Sequence, residues 1–425
     1  MKKSLAAALV IASMVLPGSV FAQVETSLGS IQIGAKVKWL FAYKAEDEDA
    51  KGASDPAALS GGTTTLWGFD GAPLEQFATT NVELDINGMV GEKVEYIIEF
   101  QASAYGMTPA DARGGLTGVQ SGPAEMGTVG VRQAKIIFHD LIPYTSFTVG
   151  TFNLPLSIYQ PRATNDWDLI SLPLINMAPT LLGNYDADGI RGEDYAPMGL
   201  GWQATGINVA VAPIEWFEID LSYFNGYAGG NPNAETDLEK SYLVNLRFLP
   251  ENGMVSVGYL SEGWQEDTAD WGGGKTQQQN ASGWVASGSY EQDKFEGNFD
   301  FAMMTAEDYQ LNEDGDPDDL TWMGYQVTLG YWFTKELEAV ARYEWIDPNT
   351  INDKDAAAGE VTENDQLTWI TAGLNYRVNE TAEIAVNYIM RDEQGSDIDV
   401  DAGNVGGKYQ KLDNDILLIQ AQVWQ

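Results

Sequence analysis

The chain has 425 residues, of which 62 are acidic and 23 basic, giving a net charge of −39 at pH 7. This balance argues against nucleic acid and anionic lipid headgroups as partners, because both require a basic surface. The 47 aromatic residues (13 Trp, 19 Tyr and 15 Phe) and the 44% of hydrophobic residues exclude a disordered chain. The absence of cysteine excludes disulfides and a cysteine-linked lipid anchor.

The first 22 residues have the pattern of a secretory signal peptide. Lys2 and Lys3 precede an apolar run that only Ser13 interrupts, and Val20 and Ala22 occupy the −3 and −1 positions of a cut. We therefore expect residues 1–22 to be removed and residues 23–425 to form one exported domain. No later run reaches the roughly 18 consecutive apolar residues of a spanning helix.

Beyond this segment, apolar and polar residues alternate at period two. In the clearest arm, one face carries Met323, Tyr325, Val327, Leu329, Tyr331 and Phe333, and the other carries Gly324, Gln326, Thr328, Gly330 and Trp332. Such alternation predicts a strand with one apolar and one polar face. The arm and its partner each hold about 9–11 residues, enough for a tilted strand to cross a bilayer.

In chain order the pattern predicts sixteen strands. They lie at about Ser30–Tyr43, Phe77–Met89, Val94–Ala104, Thr128–His139, Thr145–Asn153, Gln203–Ala212, Ile214–Tyr227, Lys240–Leu249, Gly253–Gly263, Ser282–Glu291, Lys294–Ala306, Met323–Phe333, Leu337–Trp345, Gln366–Arg377, Thr381–Arg391 and Leu412–Trp424. The sixth and seventh strands are expected to meet at Pro213. For the fourth strand, the pattern does not decide which face is apolar.

Short turns alternate with long, mostly acidic connections along the whole chain. This asymmetry predicts an all-β fold, a closed antiparallel transmembrane β-barrel of about sixteen strands with short periplasmic turns and long acidic external loops. Closure satisfies every backbone group between neighbouring strands, and sixteen strands leave a lumen wide enough for water. A soluble acidic sandwich from a saline habitat is the rival interpretation.

Three stretches resemble the phosphate-selective porin O/P family. They are Gly150-x-Phe152-x-x-Pro155-Leu156-Ser157 before a long loop, Asp188-Gly189-Ile190-Arg191-Gly192, and the strand ending Tyr223-Phe224-Asn225-Gly226. The resemblance implies a trimeric, sixteen-stranded porin that passes phosphate or other anions. It also implies that the long loop at residues 154–201 folds inward and narrows the pore.

The polar strand faces supply candidate lumen residues. The acids are Glu83, Asp85, Glu95, Glu99, Glu218, Asp220, Glu296, Asp300, Glu338, Glu344 and Glu383, and the bases are Lys36, Lys38, Arg247, Arg342, Arg377 and Arg391. Because charged rings select ions by sign, this acidic surplus predicts a wall that favours cations or discriminates weakly.

Residues of the long loop are candidates for a local basic constriction. Arg162 and Arg191 would supply the positive field, with Asp166 and Asp168 as nearby counter-charges. Alternatively, these arginines pair with the two acids and only hold the loop against the wall.

Spaced carboxylates at Asp314, Asp316 and Asp318 are a candidate for weak calcium binding. The sets Asp397, Asp399, Asp401 and Asn184, Asp186, Asp188 have the same spacing, and none completes an EF-hand pattern. A solvated acidic loop is the alternative, and no other cofactor is expected.

Catalysis is not expected. His139 is the only histidine, so a Ser-His-Asp hydrolase would have to use it, and we place it at a short turn. The chain also lacks a glycine-rich phosphate loop and an HExxH pair. The sequence therefore predicts a passive channel in the outer membrane of a Gram-negative bacterium, with lipid around it and small hydrophilic solutes and ions inside. An adhesin or calcium-bound scaffold built on the same barrel is the alternative.

Overall fold

A single antiparallel sheet, rolled into a ring, accounts for nearly all of the backbone that the structure describes. The computed structural model describes residues 22–26, 29–44, 74–102, 129–158, 169–170, 175, 203–225, 240–267, 276–311, 317–347, 367–393 and 415–424. Every strand pair in these ranges is antiparallel and consists of strands that are consecutive in the chain, apart from the pair that joins the two ends.

The described ranges contain seventeen strands. They are β1 (Ala22–Thr26), β2 (Gly29–Lys44), β3 (Leu74–Val90), β4 (Val94–Ala102), β5 (Val129–His139), β6 (Thr145–Asn153), β7 (Gln203–Ile214), β8 (Phe217–Asn225), β9 (Lys240–Phe248), β10 (Gly253–Asp267), β11 (Thr276–Gln292), β12 (Phe295–Leu311), β13 (Pro317–Trp332), β14 (Leu337–Asp347), β15 (Leu367–Asn379), β16 (Ala382–Glu393) and β17 (Ile416–Trp424).

The ring closes between the last strand and the second. The register of β17 on β2 runs from Ile416 opposite Lys44 to Trp424 opposite Lys36. The sixteen strands β2–β17 therefore form a closed antiparallel barrel, as the sequence predicted. The short β1 is an addition that the sequence did not predict, and it pairs with residues 29–33 of β2, beyond the part that β17 covers.

Sequence and structure disagree on the turn between β7 and β8. Pro213 lies within β7, and the turn falls at Glu215 and Trp216. The register there jumps from Val211 to Ile214, so Pro213 lies where the ladder is already interrupted. A proline, which has no N–H to donate, is tolerated at such a break.

The two faces of the sheet differ as the alternation predicted. On β13, Val327 and Leu329 are exposed on the outer face, whereas Gln326 and Thr328 are buried on the inner face. The same division on β14 leaves Tyr343 exposed and buries Arg342 inside. An apolar exterior around a polar interior is the inverse of a soluble barrel, and it suits a surrounding of lipid.

Aromatic side chains form two clusters of ring contacts on the outer face. Near the short turns, the ring centroids of Phe295 and Tyr331 lie 4.8 Å apart and those of Tyr331 and Phe333 lie 5.0 Å apart. Farther along the strands, Tyr325 contacts Tyr343 and Trp345 at 6.0 and 5.4 Å. Tyr331 lies six positions after Tyr325, which is about 20 Å of strand. Paired aromatic belts of this kind flank the apolar band of membrane barrels.

In the described part of the chain, no helix has the length and apolar character needed to cross a membrane.

A β-bulge in β5 explains why its faces could not be assigned from the sequence. Glu99 of β4 pairs with Gln133 and Phe100 pairs with Val131, so Arg132 has no partner position. Before the bulge, the exposed apolar residue Val131 is at an odd position. After the bulge, the exposed apolar residue Ile136 is at an even position. One extra residue in a strand exchanges its faces, which defeats a period-two analysis.

On the outer face of the sheet, the ring of Phe299 on β12 packs over Gly288 on β11. A methyl group at Gly288 would lie 2.3 Å from Cε1 of Phe299. We therefore expect Gly288→Ala to lower the free energy of unfolding in detergent micelles by about 1–3 kcal/mol, the usual cost of overpacking. Tryptophan fluorescence during urea unfolding measures this.

Gly297→Ala is the matched control on the neighbouring strand. Its methyl group would lie 3.3 Å from Cδ2 of Leu329, the end of a flexible side chain, so the cost should be small. Equal destabilisation by both variants would contradict the packing of Phe299 over Gly288.

Candidate functional site

The interior of the barrel contains the predicted lumen residues. The structure places Lys36, Lys38, Glu83, Asp85, Glu95, Glu99, Arg247, Arg342 and Arg377 at inward-facing positions of β2, β3, β4, β9, β14 and β15. Side chains alternate between the two faces of a strand, and each of these residues is directly next to an outward-facing apolar residue in the sequence.

Basic residues of the inner wall lie beside acids on an adjacent strand or on the same strand. Lys36 Nζ on β2 lies 3.1 Å from Glu83 Oε2 and 3.5 Å from Asp85 Oδ2 on β3. Because cross-strand neighbours are about 5 Å apart, opposite charges in one row can pair in this way. The Arg342 guanidinium lies 2.9 Å from Glu344 Oε2, two residues further along the same face of β14, and both side chains are fully buried.

A second ion-pair group occupies β8 and β9. Arg247 Nε lies 2.6 Å from Asp220 Oδ2, and its other end contacts Glu218. At the edge of the ring, Arg377 Nε lies 3.9 Å from Glu383 Oε2 and its guanidinium stacks 4.3 Å above the ring of Trp332. Even with these pairs counted, the described wall has more acidic than basic residues, as the count of charged residues on the polar strand faces predicted.

Three carboxylates on β3 and β4 come close enough to share one cation. The candidate ligand oxygens of Glu83, Asp85 and Glu99 lie within 4.8 Å of one another. The Lys36 ammonium already bridges Glu83 and Asp85, and Gln133 Nε2 donates to Glu99 Oε2 at 2.5 Å. The cluster is therefore a charge network of the wall, in which lysine acts as the cation.

The chain that follows β6 turns into the barrel. We call Leu154–Ile158 the inner segment. Asn245 Nδ2 donates to the Pro155 carbonyl at 2.7 Å, and Ser287 Oγ donates to the Leu156 carbonyl at 3.3 Å. Asn245 and Ser287 are inward residues of β9 and β11, so the segment lies against the inside of the wall.

Asp300, on the inner face of β12, holds the end of the inner segment. Its carboxylate accepts hydrogen bonds from Ser157 Oγ at 3.3 Å and from the Ile158 amide at 3.4 Å. Gln326 Nε2 on the next strand donates to the same carboxylate at 3.0 Å. The sequence identified Asp300 as a lumen acid but not its role, because the partner is 142 residues away and no local pattern reports it.

A later part of the same connection contacts the wall again at β15 and β16. The Ile170 amide donates to Asn387 Oδ1 at 2.6 Å. Beside it, a methyl group on Gly373 would lie 2.6 Å from Cδ2 of Leu169, so Gly373 makes the space that Leu169 fills. The described parts of the connection therefore meet the wall at two places, on β9–β12 and on β15–β16.

Part of the inner wall on β9–β15 is apolar. Leu243, Leu260, Val285, Met304, Trp322, Ile346 and Trp369 are all buried on the inner face. From the inner segment and the later contact, Leu154, Leu156, Ile158 and Leu169 are buried as well. Burial of so many apolar side chains inside the ring stabilises the inward course of the chain.

Several predicted site residues lie outside the described residues. These are Arg162, Asp166, Asp168 and Arg191 of the expected constriction, and Asp314 and Asp316 of the calcium candidate, together with the two other spaced-carboxylate sets. Asp318 lies within β13, where its backbone pairs with Gln310 of β12.

Lys135 is a lumen residue that sequence analysis missed. It faces inward on β5, below the bulge at Arg132, and its Nζ donates to Gln133 Oε1 at 2.8 Å. The unrecognised bulge hid it, and the apolar Ile137 on the same inward face weakened the alternation between Gln133 and His139.

His139 lies inside the ring close to the short turn, where the sequence placed it. Its Nε2 lies 2.9 Å from Glu95 Oε2, and both side chains are about one-third exposed. The pair orients the imidazole along the wall.

No family model and no curated protein sequence matches the chain. Solved structures do match it. The outer membrane channel DcaP of Acinetobacter baumannii has a TM-score of 0.59 at 12% identity, covering 95% of this chain and 100% of that one. The anion-selective porin from Comamonas acidovorans has a TM-score of 0.54 at 12% identity, covering 93% and 100%. OmpF of Salmonella typhi, solved with daunomycin, has a TM-score of 0.53 at 10% identity, covering 95% and 100%.

At these identities the likeness shows the fold, and the fold is that of outer-membrane porins. The phosphate-selective O/P family, which the motifs near Gly150 and Arg191 resemble, is not singled out by the comparisons.

Asp300 should control access to the inner segment. Because the chain has no cysteine, Leu156→Cys introduces a single thiol, and burial should protect it from maleimide. Adding Asp300→Ala removes the acceptor of two hydrogen bonds. At about 1 kcal/mol each, their loss should raise the labelling rate roughly 30-fold. Mass spectrometry of timed samples measures the rate.

Glu296→Ala in the same Leu156→Cys background is the control. Glu296 is an inward acid of β12, four residues before Asp300, and contacts no described part of the inner segment. Equal labelling with either alanine variant would show that Asp300 does not hold the segment.

Proposed function

We propose that this chain is an outer-membrane porin, a water-filled channel for the passive diffusion of small hydrophilic solutes and ions. The observation that carries the proposal is the closed ring of sixteen strands with apolar residues outside and charged residues inside. A closed ring is the only sheet that leaves no unpaired edge in hydrocarbon. Charged inward residues such as Lys36 and Asp85 are explained by water in the lumen.

The proposal includes export and location. The pattern of residues 1–22 supports secretion through a cleaved signal peptide. The two outer aromatic clusters support insertion in a bilayer, in which the short turns face the periplasm. In this setting lipid surrounds the barrel, and the protein has no catalytic turnover.

Selectivity is proposed to follow the wall charge. The surplus of inward acids supports weak selectivity that leans toward cations. The resemblance to phosphate-selective porins and the likeness in fold to the anion-selective porin from Comamonas acidovorans support the opposite preference. Arg162 and Arg191, in the connection that contains the inner segment, are the proposed basic constriction that could reverse the sign set by the wall.

Single-channel recording in a planar bilayer tests the function. We expect discrete conductance steps, and in a tenfold salt gradient a reversal potential of the sign that favours cations. Arg162→Ala and Arg191→Ala should each shift the reversal potential further toward cations if these residues form the constriction. Strong anion preference that neither variant changes would contradict both the wall-charge argument and the arginine constriction.

Assembly as a homotrimer is the last part of the proposal. Among the related folds, OmpT of Vibrio cholerae was solved in a trimer form, with a TM-score of 0.53 at 11% identity. Cross-linking in mild detergent should give a species of three chains. A barrel that remains a single chain across detergents would contradict the trimer without affecting the channel.

A further inference from the structure

The short turn between β5 and β6 has an apolar tip. It comprises residues 140–144, and after Asp140 every residue is apolar or aromatic: Leu141, Ile142, Pro143 and Tyr144. Leu141 is 59% exposed, Ile142 56% and Tyr144 66%. Consecutive exposed apolar residues of this kind mark an interaction surface rather than a solvated turn.

Other short turns at the same end of the barrel have polar tips. These are Gly91-Glu92-Lys93, Glu251-Asn252, Asp293-Lys294, Thr334-Lys335-Glu336 and Glu380-Thr381. The turn between β7 and β8 is intermediate, because Glu215 there is followed by Trp216, which is 57% exposed. The apolar turn tips of the described chain therefore lie at β5–β8, on one side of the ring.

The tip of the β5–β6 turn extends the apolar outer face of the barrel. Phe138 of β5 and Phe147 of β6 are the last outward-facing pair before the turn. The tip begins three positions after Phe138, at most about 10 Å of chain. Two strands further round, the ring centroids of Trp216 and Phe217 lie 6.3 Å apart and those of Phe217 and Phe248 lie 5.1 Å apart. The tip is thus continuous with the aromatic residues near the short turns and lies just beyond them.

The backbone of this turn is already largely hydrogen-bonded. Three of its carbonyl groups accept hydrogen bonds, from the Lys93 ammonium at 2.7 Å, the Thr145 amide at 3.1 Å and the Ala212 amide at 2.9 Å. These carbonyls belong to Asp140, Ile142 and Tyr144. Because the cost of leaving water comes from unpaired polar groups, such a turn can enter a less polar surrounding.

We infer that the β5–β6 turn, together with Trp216, is a membrane anchor that enters the periplasmic leaflet and is covered there by phospholipid. The inference rests on the proposed channel function and adds how the barrel is placed in the bilayer. Lipid is the occupant that fits, because the tip continues the outer face that lipid surrounds in that proposal. Aliphatic side chains flanked by tyrosine and tryptophan suit the boundary between headgroups and acyl chains.

The anchor implies that the barrel sits obliquely. The β5–β8 side carries apolar turn tips, whereas the turns of β13–β16, on the opposite side of the ring, carry Lys335, Glu336 and Glu380 at their tips. Charged tips stay in water, so the ring enters the periplasmic leaflet more deeply at β5–β8 than at β13–β16.

Site-specific fluorescence in the full, cysteine-free chain tests the anchor. Ile142→Cys, Trp216→Cys and Glu336→Cys are each labelled with an environment-sensitive fluorophore and reconstituted into phosphatidylcholine vesicles. Phospholipid that carries a nitroxide close to its headgroup should quench the labels at positions 142 and 216 strongly and the label at position 336 weakly. Glu336 is the matched control, since it lies at a short-turn tip on the opposite side of the ring.

Equal quenching at positions 142 and 336 overturns the anchor. Weak quenching at positions 142 and 216 overturns it as well: long-wavelength emission would place the tip in water, and short-wavelength emission would mean that protein covers it. Val327→Cys, on the outer face of β13, reports on insertion itself and should be quenched by a nitroxide near the end of the acyl chains. Absence of that quenching would instead refute the barrel in the bilayer, so the two failures are distinguishable.

Discussion

Everything in this fold depends on the pairing of β17 with β2. An open sheet of sixteen strands would present two rows of unsatisfied amide and carbonyl groups, and no solvent in hydrocarbon can satisfy them. Nine residue pairs, from Ile416 opposite Lys44 to Trp424 opposite Lys36, remove both edges at once. Once the ring is closed, each strand has one face toward lipid and one toward the interior, and alternation along the strand decides which side chains go where.

The interior contains both apolar and charged side chains. Apolar residues such as Trp322 and Leu156 are buried there, yet the segment that carries Leu156 lies against a wall that also contains many charged residues. Its backbone could not be buried without hydrogen-bond partners. Asn245, Ser287, Asp300 and Asn387 supply those partners, so the polar residues set the course of the segment and the apolar residues stabilise it.

Much of the fold could be predicted from the sequence, because lipid enforces strict alternation. The arms around Thr334-Lys335-Glu336 became β13 and β14 with their faces correctly assigned. Three features escaped prediction for physical reasons. Pro213 suggested a turn, but a break in the ladder accommodated it within β7. The bulge at Arg132 concealed the inward side of Lys135, and Asp300 binds a partner too distant in sequence for any local pattern to reveal.

The bulge at Arg132 also bears on how such a barrel can change over evolution. Deleting one residue there would turn β5 into a regular ribbon and leave the lower part, with Lys135 and His139, in its present orientation. Above it, Gly130 and Val131 would keep their present partners Gln101 and Phe100, so no side chain would change faces. A β-bulge is thus a position where a strand can lose or gain one residue during evolution while the inward side chains near the short turn are preserved.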